Sequence, residues 1–390
     1  MQGQGVDRRS ALKAGAGALA LAGVGQAAAP GAAAPAAAAA PDPRLRFGRD
    51  GRFRIVQFND TQDDQRTDRR TLELMGRVLD QEQPDLVVLV GDNITGGPTD
   101  RREVQQALNN VVQQMEQRRI PWAATFGNHD EDSLEQAGVD EAEMLRFFRR
   151  YRWNVNPKGA SGVTGTGNGV VLVQGSRGGR PAAAVWLVDS GRYAPEQIAG
   201  QDFEGYPTWD WIRADQVRWY LEQSQALERR HGGPVPGVLY CHIPLWEHRH
   251  MWFASPDSRT GADHARAVAK HGIVGERNED ECPGPFNSGM YAALQHRGDV
   301  RAVLCGHDHV NTYVGDYYGI LLGYGPGTGF GTYGLGGEER NRLRGARVLD
   351  LDERLDGLVA GTRNVFAADL GIDLAADDQS ADPLPLPRGW

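Results

Sequence analysis

Five short polar stretches in the chain hold the residue types that metal-assisted chemistry needs. "FND" supplies Asp60, "GDN" supplies Asp92 and Asn93, and "GNHDE" supplies Asn128, His129 and Asp130. "CHIP" supplies His242, and "GHDHVN" supplies His307 and His309. Each stretch ends an apolar run that reads as a strand, and strand carboxyl ends are where layered α/β sheets place their sites. One strand ending in Asp is an ordinary turn, but five such ends offering Asp, Asp, Asn-His, His and His-x-His form a constellation. Carboxylates and imidazoles suit zinc, iron, manganese or cobalt, and the lack of nearby thiolate clusters argues against a structural zinc knot. Two such ions sharing a bridging carboxylate can clamp a phosphoryl oxygen during in-line displacement. A histidine beside them can protonate the leaving oxygen.

The elements that must position these groups are legible as period and punctuation. Strands are predicted at Phe53–Phe58, Asp85–Val90, Trp122–Phe126, Ala182–Asp189, Gly237–His242 and Val300–Cys305. Several are apolar throughout, as expected of strands buried on both faces. Between them, Arg69–Gln83, Arg101–Arg118, Glu141–Arg150 and Ala214–Arg230 carry apolar residues at helical spacing. Strand–helix alternation predicts a layered α/β domain. "VLVQGSRGGRPAAAVWLVD" predicts an antiparallel hairpin, and "YVGDYYGILLGYGPGTGFGTYG" a β segment followed by a glycine-rich loop. That loop lacks the Lys-Ser/Thr ending of a nucleotide P-loop and is read as a structural turn.

The 390 residues carry a formal net charge of −9, which argues against a non-specific binder of nucleic acid or anionic membrane. At the N-terminus, Arg8 and Arg9 precede a weakly apolar Gly/Ala run and small residues around Ala27–Ala29, which reads as a twin-arginine export signal. Residues 1–43 are therefore assigned to a signal and an Ala/Pro-rich linker, 44–372 to one catalytic domain, and 373–390 to a polar, Pro-rich tail expected to be disordered. The expected location is secreted, periplasmic or wall-associated. The expected partners are the twin-arginine translocase during export and a small-molecule or lipid phosphate ester, with no stable membrane insertion after cleavage. Three cysteines are too few for a disulfide framework. Cys241 and Cys305 read as core residues, with a bridge between them as the alternative.

In order and spacing the five motifs resemble those of the calcineurin-like metallophosphoesterases, from about Phe53 to Val348. "PDLVVLVGDNITGG", "IPWAATFGNHDE" and "NSGMYAAL" resemble in particular the branch of plant and fungal purple-acid-phosphatase-like proteins. The resemblance implies a four-layer α/β/β/α sandwich of two mixed sheets flanked by helices. It also implies two divalent ions (Mn, Fe, Zn, Mg or Ca) and ester hydrolysis by a hydroxide held between them. By position, Asp60 and His309 would hold the first ion, Asp92 would bridge, and Asn128, His242 and His307 would hold the second. His129 would be the general acid.

The chain also departs from the family pattern. Where the family has Asp-x-His, this chain has Asp60-Thr61-Gln62. A neutral Gln62 oxygen is a weaker ligand than imidazole, which points to a more labile first metal, a harder ion such as Mn²⁺ or Mg²⁺, or recruitment of Asp63 or Asp64. Position 63 is Asp where purple acid phosphatases have tyrosine, so no iron–tyrosinate colour is expected. Thr95 stands where phosphoprotein phosphatases place an Asp that orients the catalytic histidine, so that dyad is expected to be missing. Arg192 is a candidate contact to a phosphate oxygen. "WEHRHMW" (Trp246–Trp252) is read either as part of the substrate mouth or as an exposed polar loop. Two other functions stay open: a catalytically weak binder of phosphorylated ligands or wall polymers, and a diesterase specific for lipid or nucleotide phosphates.

Overall fold

The computed structural model describes residue 42 and residues 44–206, 208–255 and 257–388. The predicted export signal and nearly all of its linker lie outside these residues. In chain order the first strands are β1 (Arg52–Phe58), β2 (Leu86–Val90), β3 (Trp122–Thr125), β4 (Gly169–Gln174) and β5 (Pro181–Leu187). A small excursion carries β6 (Gln197–Ile198) and β7 (Gln201–Asp202). Then come β8 (Gly237–Tyr240), β9 (Val300–Cys305), β10 (Val314–Tyr317), β11 (Ile320–Tyr324), β12 (Gly345–Asp352) and β13 (Val359–Phe366). The helices are α1 (Arg69–Glu82), α2 (Arg101–Arg118), α3 (Leu134–Ala137) and α4 (Glu141–Phe148), followed by α5 (Ala214–His231), α6 (Trp246–Phe253), α7 (Gly261–His271) and α8 (Met290–Arg297).

One sheet runs β13-β12-β1-β2-β3 and the other β10-β11-β9-β8-β5-β4. In the first, β1, β2 and β3 are parallel while β12 pairs antiparallel with β1. In the second, β5, β8, β9 and β11 are parallel and β4 and β10 close the edges antiparallel. The two-residue period of a strand explains why the central runs are apolar throughout. Ile55, Leu86, Val88 and Val90 face Val185, Val238, Ala302 and Leu304 of the opposing sheet in one core. Their alternating neighbours Val56, Phe58, Val87 and Leu89 pack under α1, α2 and α4 in a second. The outer face of the other sheet, with Trp186, Leu239 and Val303, is covered by α5 to α8 in a third. The chain is a four-layer α/β/β/α sandwich.

Two local expectations need correction. The C-terminal segment packs against the domain. Arg70, buried and paired with Asp68, donates to the carbonyls of Ala375 and Asp377, and Asn110 accepts from the amide of Leu384. Leu374 and Leu386 lie against the first helical core. Its low apolar content pointed to disorder, but backbone carbonyls are what hold it. "WEHRHMW" is not an exposed loop but helix α6, and its first residues Trp246 and Glu247 line a cavity with Trp211 and Phe286. His248 is buried beside Cys305 and Tyr324, and Arg249 is paired with Glu281. Cys241 and Cys305 are buried free thiols, the core residues expected from the sequence. Strands β12 and β13, absent from the sequence reading, extend the first sheet. Arg347 and the exposed positions of the edge strand β13 hide their apolar alternation.

Candidate metal centre and acid loop

All five motif loops leave the same edge of the two sheets, because β1, β2, β3, β8 and β9 end there. The turns that follow are tight. Asp60, Gln62, Asp92 and His307 all adopt positive φ (52°, 25°, 48° and 74°), a region that non-glycine residues enter at a cost and that clusters at functional sites. The loops are laced together, with the amide of Asp60 donating to Gly91 and that of Gln62 to Asp92. A side chain at Gly127 would fall 2.4 Å from Asp92 Oδ1, so only glycine lets the "GNHDE" turn approach that carboxylate.

Six of the predicted ligands converge. Asp60, Asp92 and His309 form one cluster whose donor atoms lie within 4.8 Å of one another, and Asp92, His242 and His307 form a second on the same criterion. Asp92 belongs to both. His242 Nε2 lies 3.1 Å from Asp92 Oδ2, 3.2 Å from Asn128 Oδ1 and 3.9 Å from Asp60 Oδ1. His309 Nε2 lies 3.4 Å from Asp60 Oδ1. The opposite ring nitrogens set the tautomers. His242 Nδ1–H donates to the Val90 carbonyl at 2.9 Å, and His309 Nδ1 faces the Tyr333 carbonyl at 3.3 Å, with the Tyr333 ring stacked on it. Both Nε2 atoms therefore face carboxylate oxygens, an arrangement in which a cation can replace the proton.

The electrostatics agree. Burial alone would lower the basicity of His242, but the Asp92 carboxylate overrides it and pushes the imidazole up to about 10. Burial and neighbouring His242 hold His307 well below its ordinary value, and burial also lowers His309. Among the described residues, buried Asp92 Oδ2 has His242 Nε2 at 3.1 Å but no well-aligned hydrogen-bond donor, and the Asn128 amide nitrogen has no acceptor. Two fully buried carboxylates, three imidazoles and an amide oxygen, with orphaned polar atoms between them, fit a pair of divalent ions.

Gln62 is buried beside this centre, and its Oε1 accepts from Thr332 Oγ1 at 2.9 Å while the same hydroxyl lies 3.3 Å from His309 Nδ1. Asp63 and Asp64 are committed to capping backbone amides of the following turn and enter neither cluster. Gln62→His places an imidazole where the family has one. The expected result is a tighter first metal and a changed metal preference by calorimetric titration. Unchanged affinity would place Gln62 outside the coordination sphere.

His129 stands at the rim, its amide donating to Asp92 Oδ1 at 2.8 Å. Its Nδ1 lies 2.5 Å from Asp132 Oδ2, so the carboxylate absent at position 95 is supplied from within the histidine's own loop. Burial alone would lower His129, but Asp132 and then Asp92 leave it raised overall. Sequence reading missed Asp132 because it matches no family motif, although a three-residue offset on a tight turn was the available signal. Arg192 is not free for phosphate. It donates to Glu131, Asp132 and the Asn128 carbonyl, clamping the acid loop from behind. Asp130 accepts from the amides of Asn93 and Gly127 and is structural.

Behind the loop, Glu141 is buried against Asp189, Glu131 and Asp130, and burial followed by those charges raises it well above its ordinary value. A carboxyl whose folded value is raised contributes stability below its unfolded value, and that stability is lost as pH rises through the folded value. Glu141→Gln, which keeps a donor for Asp189, is therefore expected to raise the melting temperature at pH 8 and flatten its decline above about pH 5. Calorimetric melts across pH 5–9 check this. A steeper decline in the variant would refute it.

Among known proteins, the family model for calcineurin-like phosphoesterases matches residues 53–311. An Arabidopsis thaliana protein named "Probable inactive purple acid phosphatase 29" is 30% identical over 349 residues, 83% of this chain and 83% of its own. Saccharomyces cerevisiae "Phosphatase DCR2" is 28% identical over 289 residues, 69% of this chain and 46% of that one. A solved dimetal phosphatase from Danio rerio superposes with a TM-score of 0.44 at 13% identity, over 81% of this chain and 99% of that one.

Proposed function

The chain belongs to the calcineurin-like phosphoesterases, metal-dependent hydrolases of phosphoric esters, and on that premise we propose that it cleaves phosphate monoesters or diesters at a dimetal centre with His129 as general acid. The observation that carries this reading is the pair of ligand clusters sharing Asp92, with a carboxylate-held histidine at their rim. Asp60, His309 and Gln62 would hold one ion, Asn128, His242 and His307 the other, and Asp92 both. When bound, the ions neutralise phosphoryl charge and lower the pKa of an attacking water. The protein's own groups do the rest. Asp132 occupies Nδ1 of His129, so Nε2 is the nitrogen that delivers a proton to the departing oxygen. The buried Asp60 and Asp92 keep the two clusters at fixed spacing, and the clamp of Arg192 on Glu131 and Asp132 holds the acid loop over them.

The test is metal analysis of the purified chain, followed by turnover of aryl and alkyl monoesters and diesters. Metal-loaded protein should hydrolyse at least one class faster than its metal-stripped form and than His129→Ala. Equal rates would refute the assignment. A second reading, a catalytically weak binder of phosphorylated ligands, is favoured by Gln62 and by the word "inactive" in the plant relative's name. It predicts phosphate-ester binding without turnover in the same assay. Export rests on Arg8 and Arg9, and a reporter fusion of residues 1–43 would test it.

A further inference from the structure

Between β5 and α5 the chain leaves the sheet edge, turns through β6 and β7, and returns. Two aromatic residues stand at the base of this excursion. Tyr193 and Trp209 are paired antiparallel, with the amide of Asp210 donating to the Arg192 carbonyl and that of Ala194 to Thr208. Their rings lie 5.7 Å apart at 33°. The base is pinned by close contact: a side chain at Gly191 would fall 2.4 Å from the Asp210 carboxylate, and one at Gly284 would fall 2.3 Å from the Asp210 carbonyl.

The pair stands over the chemistry. The Trp209 ring meets His307 edge-on at 4.6 Å, and the Tyr193 ring is 6.4 Å from His129 at a near-perpendicular angle. Tyr193 remains 40% exposed although its hydroxyl is bonded to Asp132. A phosphoryl group seated between the ligand clusters must place its leaving oxygen near His129 Nε2. The rings that border this seat are Tyr193, whose hydroxyl lies 3.4 Å from His129 Nδ1, and Trp209, which lies against His307.

We propose that Tyr193 and Trp209 form an aromatic subsite for the leaving group, so that the preferred substrates are phosphate esters of alcohols carrying an aromatic ring. This rests on the phosphoesterase reading for the seat of the phosphoryl group. Offset or edge-on contact with two rings favours an aromatic over a saturated group of the same size by roughly two- to tenfold. Neither ring offers a hydrogen-bond code, so the subsite selects a π face rather than one molecule.

The test compares benzyl with cyclohexylmethyl phosphate, whose alcohols are of similar size and acidity, on the metal-loaded full chain. The corresponding phosphonates, which cannot be hydrolysed, are compared by calorimetric binding. The benzyl compound should be preferred about five- to tenfold in both turnover and binding, and Trp209→Leu should reduce that preference to within about twofold. Trp209→Phe, which keeps a ring, should retain most of it and serves if the leucine variant misfolds. Equal handling of the two compounds by the natural chain, or a preference that survives Trp209→Leu, overturns the proposal. Benzyl-selective phosphonate binding without turnover of either ester would uphold the subsite while faulting the hydrolytic reading. Binding of neither phosphonate would remove both.

Discussion

Asp92→Asn is expected to leave a folded chain that no longer retains two metal ions and turns over any phosphate ester at least about a thousandfold more slowly, a loss larger than the roughly 10–100-fold typical of outer-sphere partners. The reason is that Asp92 is the only residue common to both ligand clusters. Its Oδ1 also accepts the His129 amide, so both clusters and the acid loop share one carboxylate. An asparagine can keep that hydrogen bond through its oxygen, but it carries no charge to hold cations in a buried site. Elemental analysis for metal content, beside circular dichroism for folding, checks the claim. Two retained ions with unchanged turnover would refute the bridge.

The second large effect concerns proton delivery. His129→Ala should lower turnover by about a hundred- to ten-thousandfold, the usual range for a general acid, and the loss should depend on the leaving group. A 4-nitrophenolate departs without a proton, so its ester should be much less affected than an alkyl ester. Asp132→Asn should fall between the natural enzyme and His129→Ala, with the same dependence, because the amide cannot hold His129 as a carboxylate does at 2.5 Å. A purely structural role for Asp132 predicts equal losses for both leaving groups, which is the outcome that would remove it from the mechanism.

The convergence of the candidate ligands is legible in the sequence, because each sits where an apolar run stops and strand ends of parallel sheets share one edge. Convergence of Asp60 with His309, 249 positions apart by their numbering, follows from β1 and β9 ending at the same rim in facing sheets. What periodicity could not reveal were contacts made by short-range turns and by backbone carbonyls. Asp132 meets His129 through a three-residue turn, and the guanidinium of Arg192, a candidate phosphate contact by sequence, is occupied by two acids. The glycine-rich loop after β11, a structural turn by sequence, makes a close pass over the end of β1, where a side chain at Gly329 would meet the Thr61 carbonyl at 2.4 Å. The C-terminal segment was misread for a related reason: Arg70 and Asn110 grip its main chain, and main-chain contacts leave little trace in side-chain composition.

The strand order has a consequence for how the protein comes to be folded. β1 is among the first strands made, yet it lies in the middle of its sheet, and one of its two partners, β12, pairs Arg52 with Asp352. During synthesis one edge of β1 stays open until nearly the whole domain has left the ribosome. Pairing so distant in sequence makes folding slow, and an open edge invites association with other chains. Because Asp60 lies two residues beyond β1, the cluster it forms with Asp92 and His309 is expected to assemble late and cooperatively with β12.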